Sequence, residues 1–175
     1  TTGAALHDIG KIDIPDEILL KPGPLTPAEF GVMKTHAALG HERLVRMEEQ
    51  DPIVLELVRH HHERIDGLGY PDGLTGSQIP EQARMFAVVD SFDAMTSIRP
   101  YRRETGLRAA AHAVEELRAG SGTRYCGEHV ERLALAPDVG VPSRARDDVP
   151  GVAGELGGRE DRRQNAPLAL PELAV

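Results

Sequence analysis

Six side chains in this sequence are of types that could share a cation: His7 and Asp8, His36, His61 and His62, and Asp90. Imidazole suits transition metals and carboxylate suits harder ones, so a mixed set fits Fe, Mn or Zn. Each member also has an ordinary structural reading. His7 and Asp8 open HDIGK, where a helix end would use the imidazole on terminal carbonyls and the carboxylate as the next cap. His36 has Val32, Met33, Leu39 and Gly40 three or four residues away, which suits a core histidine equally well. His60, His61 and His62 stand in a row, about 100° apart on a helix. Val54, Leu57, Val58 and Ile65 mark the buried side, which turns His61 and His62 inward and leaves His60 exposed without a role. A solvated polar run is the alternative.

The segment MFAVVDSFDAMTS is apolar nearly all round, and such a helix is expected to be buried. Asp90 or Asp93 must then enter the interior, where a carboxylate needs a metal, an Arg or strong donors. Beyond it, Arg99 and Arg102, with Arg103 beside them, form either a bidentate phosphate clamp or surface ion pairs.

Helices must carry these groups. Residues 1–8 read as the last turns of a helix stopped at Gly10, and residues 14–23 as a short helical turn between Pro15 and Pro22-Gly23-Pro24. Thr26, Pro27 and Glu29 spell a capping box for a helix to about Glu49. Asp51-Pro52 opens the next, which carries the three histidines to Asp66-Gly67. Residues 66–79 are a loop. Pro80 starts a helix to about Ser97, Thr105 caps one ending near Gly120, and a short one spans about 127–135. From residue 137 the composition changes: ten of 39 positions are Pro or Gly and none is aromatic, as in disordered chains. The expectation is an all-α domain over residues 1–136 and a disordered tail over 137–175.

Composition narrows the function. With 3% aromatics and no Trp, the core is aliphatic, which favours packed helices over a β-sandwich. A net charge of −8 argues against a nucleic-acid polymer as partner, though local cations could still hold a small anion. The single Cys126 forms no internal disulfide, which suits a reducing cytosol. Neither a membrane span nor a signal peptide is visible. A start at Thr1 suggests a fragment or processed product.

The stretches HDIGKIDIPDEILLKPGPLTPAEF, His36, HHERIDGLGYPDGL, Ile79-Pro80 and VDSFDAMTSIRPYR together resemble the HD-GYP family of metal-dependent phosphohydrolases, over roughly residues 1–125. The resemblance implies an HD-type helical bundle, here without the family's first helix, and a cyclic di-GMP phosphodiesterase in the cytoplasm yielding pGpG or GMP. It implies metal ligation by His7, Asp8, His36, His61, His62 and Asp90, with two divalent ions, Fe or Mn; a trinuclear site would need ligands from the missing helix. Lys11 and Asp8 would stand at the reacting centre, and Lys11, Tyr70, Arg99 and Arg102 would contact the substrate. An upstream sensor or receiver domain and a diguanylate cyclase partner are further implications. Tyr125-Cys126-Gly127 departs from the aromatic-Asp-Pro pattern usual after the Ser121-Gly122-Thr123 turn. Two rival readings are a non-catalytic binding or docking module and an HD phosphohydrolase acting on another nucleotide.

Overall fold

A computed structural model describes residues 2–97, 107–136 and 139. Every regular element among them is helical: α1 (Thr2–Leu6), α2 (Asp16–Leu19), α3 (Pro27–Met33), α4 (His36–Arg46), α5 (Pro52–His60), α6 (Glu81–Thr96), α7 (Leu107–Ala119) and α8 (Gly127–Ala134). Short 3₁₀ turns occupy Ile9–Asp13 and Gly76–Gln78. No described helix is long and apolar enough to cross a membrane. Thr105, Arg99, Arg102, Arg103 and, Val139 excepted, the tail from residue 137 lie outside the described residues.

The start signals act as their chemistry requires. Thr26 Oγ1 accepts from the Glu29 N–H at 3.3 Å while the Glu29 carboxylate accepts from the Thr26 N–H at 2.7 Å, closing the capping box with Pro27 in the first turn. Asp51 caps α5 by accepting from the Ile53 N–H at 2.9 Å. Each such cap is worth about 1 kcal/mol.

Three expectations need correction. The helix expected over residues 26–49 is two helices, α3 and α4. Thr35 turns both its N–H and its hydroxyl onto the Val32 carbonyl, at 3.0 and 2.7 Å, which tightens the chain and re-aims it at His36. The helix expected to reach Asp66 stops at His60, with His61 as its cap. Glu63 N–H returns to the His60 carbonyl, and the His62 carbonyl, which a continuing helix would need, accepts instead from the Tyr70 N–H at 3.2 Å. Finally, α6 is buried on one side only. Ala83 and Val88 are inside, but Met85 and Val89 are 50% and 44% exposed, so an apolar circumference did not mean a sunken helix.

Two aliphatic clusters hold the helices. Leu44, Val54 and Val58 pack with Leu6, Ile9 and Leu55, binding α1, the first 3₁₀ turn, α4 and α5. Val88, Leu117 and Val130 pack with Phe92, Met95, Tyr125 and Leu133, binding α6, α7 and α8. Each fully buried Val or Leu contributes about 1.5–3 kcal/mol. The α5–α6 contact joins the two groups. The first 3₁₀ turn lies so close to α4 that a Cβ on Gly10 would strike the backbone of His36 and Gly40. Only glycine permits that approach, and it sets the residues just before Gly10 against the start of α4.

Candidate metal centre

The ends of α1, α4 and α5 and the middle of α6 converge, and the six candidate ligands meet there. Three histidines are aimed in the same way. Nδ1 of His7 donates to the Ala4 carbonyl at 2.7 Å, that of His36 to Met33 at 2.8 Å and that of His61 to Val58 at 2.9 Å. A carbonyl can only accept, so the one N–H of each neutral ring is on Nδ1 and Nε2 carries a lone pair; His7 donates from Nε2 to Asp8 only when its ring is protonated. The Nε2 atoms of His36 and His61 then face each other at 3.4 Å inside the fold. Two lone pairs so placed repel, and a cation between them removes the conflict. This donor set therefore fits a metal, with the backbone carbonyls fixing tautomer and ring orientation.

Asp8 stands between two groups of donors. Its Oδ1 faces Nε2 of His36 at 3.5 Å and of His61 at 3.9 Å, and its Oδ2 faces Nε2 of His7 at 3.2 Å. One group comprises Asp8, His36, His61 and His62, whose ligand atoms all lie within 4.8 Å of one another. The other comprises Asp8, His7 and Asp90, with Asp90 Oδ1 3.7 Å from His7 Nε2. Lys11 Nζ donates to Asp8 Oδ2 at 2.8 Å, which places its ammonium at the edge of the cluster.

Burial and neighbours set the proton affinities. Burial, reinforced by His36 and His7, pushes the His61 pKa down to about 3. Burial, with His61 and His36, pulls His62 well below the ordinary imidazole value, and burial chiefly lowers His36. At neutral pH these three rings are uncharged. His7 moves the other way: burial works against its cation, but Asp8 and Asp90 outweigh burial and raise it. Burial would raise Asp8, yet hydrogen bonds from His7 and Lys11 prevail and hold its carboxyl far below the usual range. Burial raises Asp90, with Asp8 and Asp93 adding to it. Asp93 itself is exposed, so of the two α6 carboxylates it is Asp90 that reaches the cluster.

The loop after α5 lays Tyr70 beside the cluster. Its ring stacks on His62 with centroids 4.8 Å apart, and lies 6.3 Å from that of His36. Burial, together with Asp8 and Asp90, raises the phenol well above its ordinary pKa, so it stays a protonated donor. Phe86 of α6 closes the other side, its ring 4.9 Å from His7 and 6.3 Å from His61.

A family model described as the HD domain matches residues 1–128. The chain belongs to the HD domain family. The Gly69-Tyr70-Pro71 triplet and the relatives put it in the HD-GYP branch. A cyclic di-GMP phosphodiesterase of Thermotoga maritima is 50% identical over 131 residues, 73% of this chain and 34% of the relative. The cyclic di-GMP phosphodiesterase response regulator RpfG of Xanthomonas campestris is 52% identical over 108 residues, 61% of this chain and 29% of the relative. A 3'3'-cGAMP-specific phosphodiesterase of Vibrio cholerae is 43% identical over 144 residues, 80% of this chain and 26% of the relative. The HD-domain chain thus spans about a third or less of the length of these curated relatives.

Several residues at this HD-domain site escaped the sequence reading. Glu63, next to the histidines, is buried at 4% exposure and binds the loop backbone. Lys34 sits two residues before His36, with Nζ 5.4 Å from the Tyr70 ring centre and 4.7 Å from that of Phe30. Asp72 pairs with His60 and Arg59, which gives His60 a structural partner. The proximity of Glu63 and Lys34 to predicted ligands was the one available signal, and it does not reveal direction or burial.

Proposed function

We propose that this chain is the catalytic domain of a metal-dependent phosphodiesterase that opens cyclic di-GMP. Hydrolysis adds one water across one phosphodiester P–O bond to give linear pGpG, and a second water gives two GMP. The observation that carries the reading is the carboxylate of Asp8 set between two groups of lone-pair donors, one with His36, His61 and His62 and one with His7 and Asp90. That arrangement supports two divalent ions, and its mixed nitrogen and oxygen donors favour Fe or Mn. Bound there, such ions supply Lewis acidity toward phosphoryl oxygen and make water acidic enough to ionise near neutral pH. The names of the relatives from Thermotoga and Xanthomonas support cyclic di-GMP as the substrate.

The chain's own residues do the rest. His36, His61 and His62 keep their lone pairs because burial denies them protons. The Lys11 ammonium, already at the cluster's edge, places positive charge where a leaving oxygen or a phosphoryl oxygen gathers negative charge. Tyr70 presents a phenolic O–H and a ring face to the substrate, and Lys34 adds a cation at the same rim. Arg99 and Arg102 would grip phosphate from the segment after α6. The reaction belongs in a reducing cytosol, in keeping with the lone Cys126.

The test is turnover of cyclic di-GMP by Fe- or Mn-loaded protein under reducing conditions, with bound metal measured on the same sample. Stoichiometric metal with pGpG or GMP formed is the expected result. Binding of the dinucleotide without hydrolysis would favour the docking-module reading. The Vibrio relative's name gives a second reading, in which 3'3'-cGAMP is the preferred substrate. Parallel assays with the two dinucleotides decide between them.

A further inference from the structure

Of the four residues from His60 to Glu63, the middle two join the Asp8 cluster and the outer two turn to the loop that follows α5. His60 Nε2 lies 3.0 Å from Asp72 Oδ2. The Arg59 guanidinium grips the same carboxylate with both prongs, Nε to Oδ2 and Nη2 to Oδ1, each at 2.8 Å. Glu63 reaches into the loop itself. Its Oε1 accepts from the N–H of Asp72 at 2.7 Å and of Gly73 at 3.1 Å, and its Oε2 accepts from the N–H of Leu74 at 3.0 Å. Gly69 seats the loop on the backbone of residues 62–64, where a Cβ would collide with main-chain atoms. Tyr70, which stacks on His62, is thus bracketed by Gly69 on one side and by residues 72–74 on the other.

We propose that Glu63 and the Arg59–His60 pair are positioning residues, a clasp that fixes the loop so that Tyr70 meets the substrate. This rests on the cyclic-dinucleotide reading above. Glu63 is a buried carboxylate satisfied by three convergent main-chain donors, an arrangement that only one loop conformation provides. Neither the clasp nor its partners are among the ligands around Asp8. The clasp therefore governs substrate affinity and leaves metal loading alone.

Glu63→Gln keeps one acceptor oxygen and replaces the other with a donor that opposes the Leu74 N–H. In the metal-loaded full chain this variant should raise KM for cyclic di-GMP about 100-fold, the cost of a misplaced binding group. Asp72→Asn should raise it less, and bound metal should stay at the wild-type level in both. The decisive measurement is the same pair of changes on a Tyr70→Ala background. If the clasp acts through Tyr70, adding Glu63→Gln to Tyr70→Ala raises KM little further. Additive effects, loss of metal, or an unchanged KM would overturn the proposal. Should Glu63→Gln fail to fold, Asp72→Asn carries the same cycle. If the wild type hydrolyses no cyclic dinucleotide, the functional reading fails separately. The clasp is then judged by hydrogen exchange: the amides of residues 72–74 must lose protection in Glu63→Gln while those of α5 keep it, and unchanged protection overturns it.

Discussion

On the inner side of the α5 terminus, His61 is buried with His36 and His62 is half-buried beside them, and desolvation lowers the proton affinity of all three. On the outer side, Arg59 and Asp72 stay about a third exposed and form a charged pair that His60 joins. The inner side presents neutral lone pairs to a cation, and its geometry is set by histidine N–H groups on backbone carbonyls. The outer side presents opposite charges to each other. The same residue type, histidine, faces the Asp8 cluster at position 61 and the Arg59–Asp72 pair at position 60, and what separates the two is the direction each ring takes from the end of α5. The inner side is costly without metal, whereas exposed pairs of the outer kind contribute only about 0–1 kcal/mol each.

His61→Ala should give the largest effect. It removes a donor whose Nε2 faces both His36 and Asp8, so bound metal should drop well below stoichiometric and hydrolysis should fall to the metal-free level. Metal analysis alongside turnover checks this, and full metal occupancy in the variant would remove His61 from the ligand set. The next largest effect comes from glycines on the two sides. Gly10→Ala drives a Cβ into the His36 carbonyl and the Gly40 backbone, while Gly69→Ala drives one into the backbone of residues 62–64. Neither obstacle is a flexible side chain, so each change should cost roughly 1–3 kcal/mol in denaturant unfolding. They should differ in function. Gly10→Ala separates Asp8 from His36 and weakens metal binding, whereas Gly69→Ala spares metal and weakens substrate binding through the loop.

The cluster's members were more legible in the sequence than the path of the chain between them. His7, Asp8, His36, His61, His62 and Asp90 do converge, yet the helical-face argument for His61 and His62 assumed a helix running on to Asp66, and α5 ends at His60. Val58 still marks their side because the His61 ring donates to its carbonyl across a single turn. The break between α3 and α4 was hidden because Thr35 is an ordinary helical residue until its hydroxyl finds the Val32 carbonyl. The Thr26 capping box and the Pro starts were legible because they are local chemistry. Glu63 and Asp72 were not, since their partners lie 9 to 13 residues away across a loop whose conformation no local pattern encodes.

Acid should expose the cost of the inner side. The folded pKa of His61, about 3, lies below the roughly 6.5 of an unfolded histidine, so between these values the unfolded chain binds more protons. Stability of the metal-free protein is therefore highest above about pH 6.5 and declines as pH falls toward 3. His36 and His62 act in the same direction, and His7, whose pKa is raised, acts against them. Moving from pH 7.5 to 5.5 should cost the metal-free fold on the order of 1 kcal/mol through His61. Metal should abolish most of that slope near neutrality, because it occupies the lone pairs that protons would take. Urea midpoints with and without Mn at the two pH values measure both effects; equal slopes would show that these histidines are not the ligands.

His60→Ala is the smallest change expected and the sharpest check of the contrast, because it alters the residue next to a candidate ligand. His60 Nε2 meets only the outer oxygen of Asp72, a carboxylate that Arg59 already holds by both oxygens. Losing the imidazole leaves that fork in place, so unfolding should shift by less than about 1 kcal/mol. Bound metal should be unchanged, since the His61 ring is aimed by the Val58 carbonyl and not by its neighbour. KM should rise by a smaller factor than in Asp72→Asn, which loosens both prongs of Arg59 at once. If His60→Ala instead lost metal as His61→Ala does, the inner and outer sides would be one unit, and the run of three histidines would have to be read as a single site.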